Sequence, residues 1–149
     1  MKLEDFLTPE TTLVGVSAAD KSRLLTDLSA RAAQILGQEA TVIARDIVKR
    51  EELGSTGMGS GIAIPHARLA TLEKPFALLA RLKRPIEFDA IDGRPVDLVF
   101  LLLQPAAAEG DLNALAAVAR ALREPDRLEH MRAAKSSAEL YRAVTAQNC

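Results

Sequence analysis

One histidine in this chain stands among residues that can do chemistry with it. His66 closes the run Gly59-Ser-Gly-Ile-Ala-Ile-Pro-His66, and Arg68 follows two positions on. The order is glycine loop, short apolar strand, rigid proline, imidazole, guanidinium. It presents a ring nitrogen at a strand end beside donors suited to an anion. Unperturbed imidazole titrates near 6.5, so roughly nine-tenths of it is neutral at pH 7.5. A neutral ring keeps a free lone pair and can attack a phosphoryl group without a separate base. The doubly charged adduct needs positive potential and N–H donors. Arg68 and Arg50, which ends the preceding helix, supply the charge. The loop Ser55-Thr56-Gly57-Met-Gly59-Ser-Gly61 can turn several backbone N–H groups towards one point, as anion nests do. On these residues alone, the commoner reading is a structural histidine beside an ordinary glycine turn.

The elements that must position this segment follow from spacing. Ser17-Ala-Ala-Asp20 fits a capping box, and Leu24, Leu25, Leu28, Ala32, Ile35 and Leu36 recur at helical period until Gly37 stops the helix. A second helix is expected from about Thr41 to Gly54. Its apolar side is Val42, Ile43, Ile47 and Val48, and its wet side Arg45, Asp46, Lys49 and Glu52. Residues 55–61 read as loop, because three glycines in five residues oppose both helix and strand. Gly61 to Ile64 is a short strand, with Pro65 biasing Ile64 to extended backbone. Phe76 to Leu82 and Val96 to Leu103 are the strongest strands, with an Asp92-Gly93 turn between them. Three helices close the chain. The first runs from Asp111 to about Arg123, with Leu112, Leu115, Ala116, Ala119 and Leu122 on one face. The second starts at Pro125, and the third is capped by Ser136 with Glu139. Helices mixed with a few strands indicate one α/β sandwich over residues 1–149.

Bulk properties exclude several classes. Nineteen basic against twenty acidic residues leave a net charge of −1, so no chain-wide attraction to nucleic acid is expected. Cys149 is the one cysteine, which rules out an internal disulfide and suits a reducing, cytoplasmic setting. The amino terminus carries acids early and lacks a signal-like apolar region, and the run Val96 to Leu103 is far too short to span a bilayer. Two distant histidines and a terminal cysteine make no metal cluster, and no cofactor is expected.

The segment Arg50-Glu-Glu-Leu-Gly-Ser-Thr-Gly-Met-Gly-Ser-Gly-Ile-Ala-Ile-Pro-His-Ala-Arg68 closely resembles the active-site signature of the fructose/mannitol-type enzyme IIA proteins of the bacterial phosphoenolpyruvate:sugar phosphotransferase system. Pro85 to Phe100 looks like the family's second signature, and the similarity extends over almost the whole chain. The wording of both strings, and the lack of a fused permease or carrier segment in these 149 residues, match the nitrogen-regulatory branch best. The resemblance implies a five-stranded mixed sheet flanked by helices. It implies His66 as phosphoacceptor, Arg50 and Arg68 near it, and Ser55, Thr56, Gly57, Gly59 and Gly61 framing the pocket. It further implies a phosphocarrier of the HPr/NPr type as donor, and regulated proteins such as potassium-transport systems or sensor kinases as partners.

One position departs from the family pattern. The family usually has a second histidine where Asp111 stands here. Asp111 reads either as a helix N-cap or as a carboxylate facing the phosphate pocket. Two unit charges 4 Å apart cost about 4 kcal/mol at an effective dielectric of 20, and about 1 kcal/mol in water. In the second case Asp111 would shorten the life of a phosphohistidine. His130, some five turns downstream, reads as an ordinary helix residue. Three functions stay open at this point. They are a phosphorelay regulator, a sugar-specific enzyme IIA serving a separate permease, and a binding regulator with impaired phosphotransfer.

Overall fold

The computed structural model describes residues 1–106 and 111–146; the side chains of residues 111–113 fall outside that description. Two single 3-10 turns, Leu3–Asp5 and Pro9–Thr11, lead into β1 (Thr12–Val16). Then come α1 (Lys21–Leu36), α2 (Ala40–Glu52), β2 (Gly57–Gly59), β3 (Ile62–Ala63), β4 (His66–Leu69), β5 (Phe76–Ile86) and β6 (Val96–Pro105). Three helices follow, α3 (Asp111–Ala121), α4 (Pro125–Ala133) and α5 (Ser137–Thr145). The architecture is a single α/β domain, with a mixed sheet between two helical layers.

β5 and β6 form the antiparallel centre of the sheet, and β1 lies parallel to β5. Along the other edge of β6, β3 and β4 lie end to end, both parallel to it. Ile62 and Ala63 stand opposite Leu98 and Val99; His66 to Leu69 stand opposite Leu102 to Pro105. The break between them falls at Ile64-Pro65. Proline has no N–H for a ladder, but its carbonyl still accepts from Leu102 N at 2.9 Å. The sheet order β1-β5-β6-β3-β2, with β4 also on β6, therefore holds six strands in five positions. The expected mixed sheet of roughly five strands is present, with two short strands sharing one position beside β6.

Both faces of the central pair are covered, which is why these strands are continuously apolar rather than alternating. Leu78, Ala80, Leu82, Val99, Leu101 and Leu103 pack with Leu24, Leu28, Ile43 and Ile47. Ala77, Leu79, Leu98, Phe100 and Leu102 pack with Ala114, Val118, Leu122, Met131, Leu140 and Val144. Full burial of each large apolar side chain contributes about 1.5–3 kcal/mol.

Several local expectations change. Asp20, not Ser17, is the N-cap of α1, its carboxylate accepting from Arg23 N at 2.8 Å; Gly37 ends the helix in left-handed conformation at φ +68. On α2, Ile43 and Ile47 are buried, while Val42 and Val48 are 39% and 38% exposed. Ala114 and Val118 of α3 are buried, as is the expected Leu122 just past its end; the expected Leu115 and Ala119 pack partly buried on the same core, and Ala116 is exposed. Ser136 caps α5 as expected, accepting from Glu139 N at 3.1 Å, but Glu139 accepts from Lys135 N rather than closing on the cap itself. β1 and β4 were not anticipated, and the loop expected at 55–61 contains β2, paired antiparallel with β3 as a hairpin.

Candidate functional site

His66 opens β4 and is half-buried. Ala67 and Leu69 point into the core under α1 and α2, so alternation sends His66 and Arg68 to the opposite face of the sheet. The ring is held at both nitrogens. Nδ1 lies 2.8 Å from the carbonyl oxygen of Ile64, and Arg50 Nε donates to Nε2 at 3.3 Å. A carbonyl only accepts, so Nδ1 must carry the proton. The guanidinium only donates, so Nε2 must offer a lone pair. Together they select the neutral tautomer with its free electron pair on Nε2.

The electrostatics favour the same state. Burial is the largest influence and lowers the His66 pKa below its ordinary 6.5; Arg50 and Arg68 push the same way, while the Ile64 carbonyl and Glu51 oppose them. Each cause is direct: a charged ring loses hydration on burial and is repelled by a guanidinium. Both causes favour the neutral imidazole, the form that can act as a nucleophile.

Arg50 comes from the last turn of α2 and is anchored by a second bond, Nη1 to the Gly54 carbonyl at 3.0 Å. A cation suits that place, since the helix C-terminus carries partial negative charge. The guanidinium thus lies beside the ring nitrogen that offers the lone pair, where it could also meet an anion. Arg68 is exposed on β4, two residues beyond the ring.

Behind Arg50 sits a carboxylate that the sequence reading did not single out. Glu51 is 8% exposed; it accepts from Thr56 N at 3.2 and 3.3 Å and from the Thr56 hydroxyl, and pairs with Lys21 Nζ at 2.9 Å. Lys21 in turn lies 4.5 Å over the Phe88 ring. A signal was available, because Ile43, Ile47 and Glu51 are spaced four apart on the buried stripe of α2. The Glu51-Glu52 pair masked it by reading as solvated surface.

The other expected pocket residues are placed differently. Thr56 is buried against Glu51, and Ser55 donates to the Phe88 carbonyl at 2.7 Å. Both set the backbone between α2 and the hairpin rather than facing the ring. Gly57 packs where a Cβ would fall 2.7 Å from Ala90 Cα. Gly59 lies against Asp92, and a Cβ on Gly61 would meet Arg132 Nη2 at 2.5 Å. Register places Ile62 opposite Leu98 and His66 opposite Leu102. Those four steps along β6 span about 13 Å at roughly 3.3 Å per residue. The structure therefore does not bring Gly59 and Gly61 to the imidazole, and the anion-nest expectation is replaced by a hairpin packed against its neighbours. Asp111 opens α3, and its side chain lies outside the described residues. His130 is exposed on α4. Among the described residues no group of three or more His, Cys, Asp or Glu is placed to hold a metal, and no helix is long and apolar enough to cross a membrane.

Comparison with known proteins agrees with this geometry. Residues 5–147 match the family described as phosphoenolpyruvate-dependent sugar phosphotransferase system, EIIA 2. A nitrogen regulatory protein of Bradyrhizobium diazoefficiens is 44% identical over 142 residues, covering 95% of this chain and 93% of the relative. The nitrogen regulatory protein of Escherichia coli K12 is 40% identical over 148 residues, covering 97% and 90%. Among solved structures, the nitrogen regulatory protein IIA-Ntr of Neisseria meningitidis superposes with a TM-score of 0.87 at 30% identity, over 95% of this chain and 97% of that one. The mannitol IIA of Escherichia coli, at 17% identity and TM-score 0.76, shares the fold over 93% and 99%. The chain therefore belongs to the type-2 EIIA family of the phosphoenolpyruvate-dependent sugar phosphotransferase system, and it groups there with the nitrogen regulatory members.

Proposed function

We propose that this protein is a phosphorelay regulator that accepts a phosphoryl group on Nε2 of His66 from an HPr/NPr-type phosphocarrier. One observation carries the reading: the ring is clamped as the Nδ1–H tautomer between the Ile64 carbonyl and Arg50, with the lone pair on the nitrogen beside the guanidinium. Nε2 attacks the phosphorus of the carrier's phosphohistidine, and the N–P bond to the carrier's ring breaks. Its electron pair stays on the carrier nitrogen as the bond to Nε2 forms. Nδ1 keeps its proton throughout, so no base is needed.

Arg50 turns from the ring to the phosphoryl oxygens, a pairing for which a guanidinium fork is suited. Opposite unit charges 4 Å apart attract by about 4 kcal/mol at an effective dielectric of 20, enough to weigh on whether the adduct persists. The relatives named nitrogen regulatory proteins support a regulatory output; the output proposed runs through partner proteins in the cytoplasm, selected by phosphorylation state, with potassium-transport systems and sensor kinases as candidates. Of the two readings of Asp111, the one proposed here is a carboxylate that neighbours the adduct and shortens its life.

Incubation with enzyme I, its phosphocarrier and phosphoenolpyruvate tests this. The expected result is one acid-labile phosphoryl group by intact mass, absent from His66→Ala. A labile gain that survives His66→Ala would refute the assignment. Asp111→His should lengthen the lifetime of the adduct; an unchanged rate and lifetime would remove Asp111 from the pocket.

A further inference from the structure

Gln104 is a buried polar residue that this scheme does not use. It is 4% exposed, and its side-chain oxygen Oε1 has no hydrogen-bond partner among the described residues. On β6 it stands directly opposite Arg68 of β4, as Leu102 stands opposite His66. The pair between them, Ala67 and Leu103, points into the core under α1 and α2. Alternation therefore places His66, Arg68, Leu102 and Gln104 on one face, with the two strands about 4.8 Å apart. A buried acceptor without a donor is costly and calls for an explanation. The side chain beside it in the register is a guanidinium, which has five N–H donors and accepts nothing.

We propose that Gln104 is a positioning residue for the phosphoryl site, its Oε1 accepting a hydrogen bond from Arg68 and holding that guanidinium towards the phosphoryl group on His66. The inference rests on His66 being the phosphoacceptor. Arg68 is already engaged in the unphosphorylated protein, so phosphorylation exchanges its partners. In the unphosphorylated state nothing among the described residues donates to the amide oxygen, and the phosphorylated state supplies the donor. A neutral acceptor suits this place, because a carboxylate would hold Arg68 equally well but set a second negative charge near the phosphoryl group.

Gln104→Met keeps the length of the side chain and removes the acceptor. The wild type, Gln104→Met, Arg68→Ala and the double variant are each charged from phosphoenolpyruvate through the relay, and the decay of the labile mass gain is followed. Gln104→Met should shorten the half-life about tenfold, the scale of a hydrogen bond to a charged group. Arg68→Ala should shorten it at least as much, and the double variant no further than Arg68→Ala. The Tm of unphosphorylated Gln104→Met should equal or exceed that of the wild type, because the unmet acceptor is gone. A purely structural glutamine would instead lower Tm and add its effect to that of Arg68→Ala. Equal half-lives for wild type and Gln104→Met, or additive effects in the double variant, overturn the inference and leave His66 as phosphoacceptor. A wild type that takes no phosphoryl group overturns both.

Discussion

The hairpin in the middle of the segment between Arg50 and Arg68 and the two ends that meet at His66 are built on opposite terms. At the hairpin the charged side chains are held by partners fixed in the fold. Arg132 makes two bonds of 2.9 Å to Asp97 and one to the Ser60 carbonyl, and Asp92 accepts from Ser60 N and Arg94 N at 3.0 Å. At the histidine Arg50 donates to a neutral ring nitrogen, and its charge pushes the pKa of that ring down. A guanidinium spent on a carboxylate is a fastener; one held against a lone pair is available to an incoming anion. A string that reads as a single motif thus divides into a half that fixes the backbone and a half that is poised for chemistry.

That contrast can be broken from either side. The largest effect beyond loss of His66 itself is expected for Arg50→Ala. Removing one charged donor from the place where phosphoryl charge arrives should cut the phosphotransfer rate about 10²–10³-fold, with little change in unfolding free energy. Quench-flow phosphorylation and urea unfolding on the same variant separate the two. A variant that loses stability but keeps its rate would make Arg50 a fastener after all.

Gly57→Ala should do the reverse. Its Cβ would lie 2.7 Å from Ala90 Cα and 2.8 Å from Ala90 Cβ, so backbone must shift. Overpacking of this kind costs about 1–3 kcal/mol, read as a lower urea midpoint. The rate of His66 phosphorylation per folded molecule should stay within about twofold, because the clash falls on Ala90 and not on the ring.

The smallest effect sharpens the comparison through pH. Burial first, then Arg50 and Arg68, hold the folded pKa of His66 below 6.5. Well above pH 6.5 the ring is neutral whether the chain is folded or not, and its titration takes nothing from stability. As pH falls below that value the unfolded chain takes up the proton first. Stability is then lost as pH falls towards and through the folded pKa. Phosphotransfer should show its acid limb in the same lowered range. In Arg50→Ala the midpoint should move up towards 6.5. NMR titration of the His66 ring reads this directly, and a wild-type midpoint at or above 6.5 would contradict the electrostatic account.

Much of this scaffold was legible because its signals are local. The stripe Leu24, Leu25, Leu28 and Ala32, the stop at Gly37, the apolar runs of β5 and β6 and the cap at Ser136 need only neighbours in the chain. β1 escaped notice because Thr12–Val16 has no alternating pattern and carries Gly15 at φ +68. β4 escaped because His-Ala-Arg-Leu has no strand signature of its own. It is extended because β6 runs on past β3 and offers unpaired ladder positions at Leu102 to Pro105.

The candidate site divides along the same line. By itself the sequence determined that His66 follows a proline, that arginines flank it, and that the nineteen residues belong together; those are facts of order and residue type. Only the tertiary structure decided which ring nitrogen is free, that Glu51 is buried behind Arg50, that the glycines serve the hairpin, and that Gln104 stands beside Arg68. Those depend on contacts that order alone does not give, from β4 lying along β6 to Lys21 meeting Glu51, and on burial, which sets the protonation of a histidine and the cost of an unmet acceptor. Neither can be read from the order of residues alone.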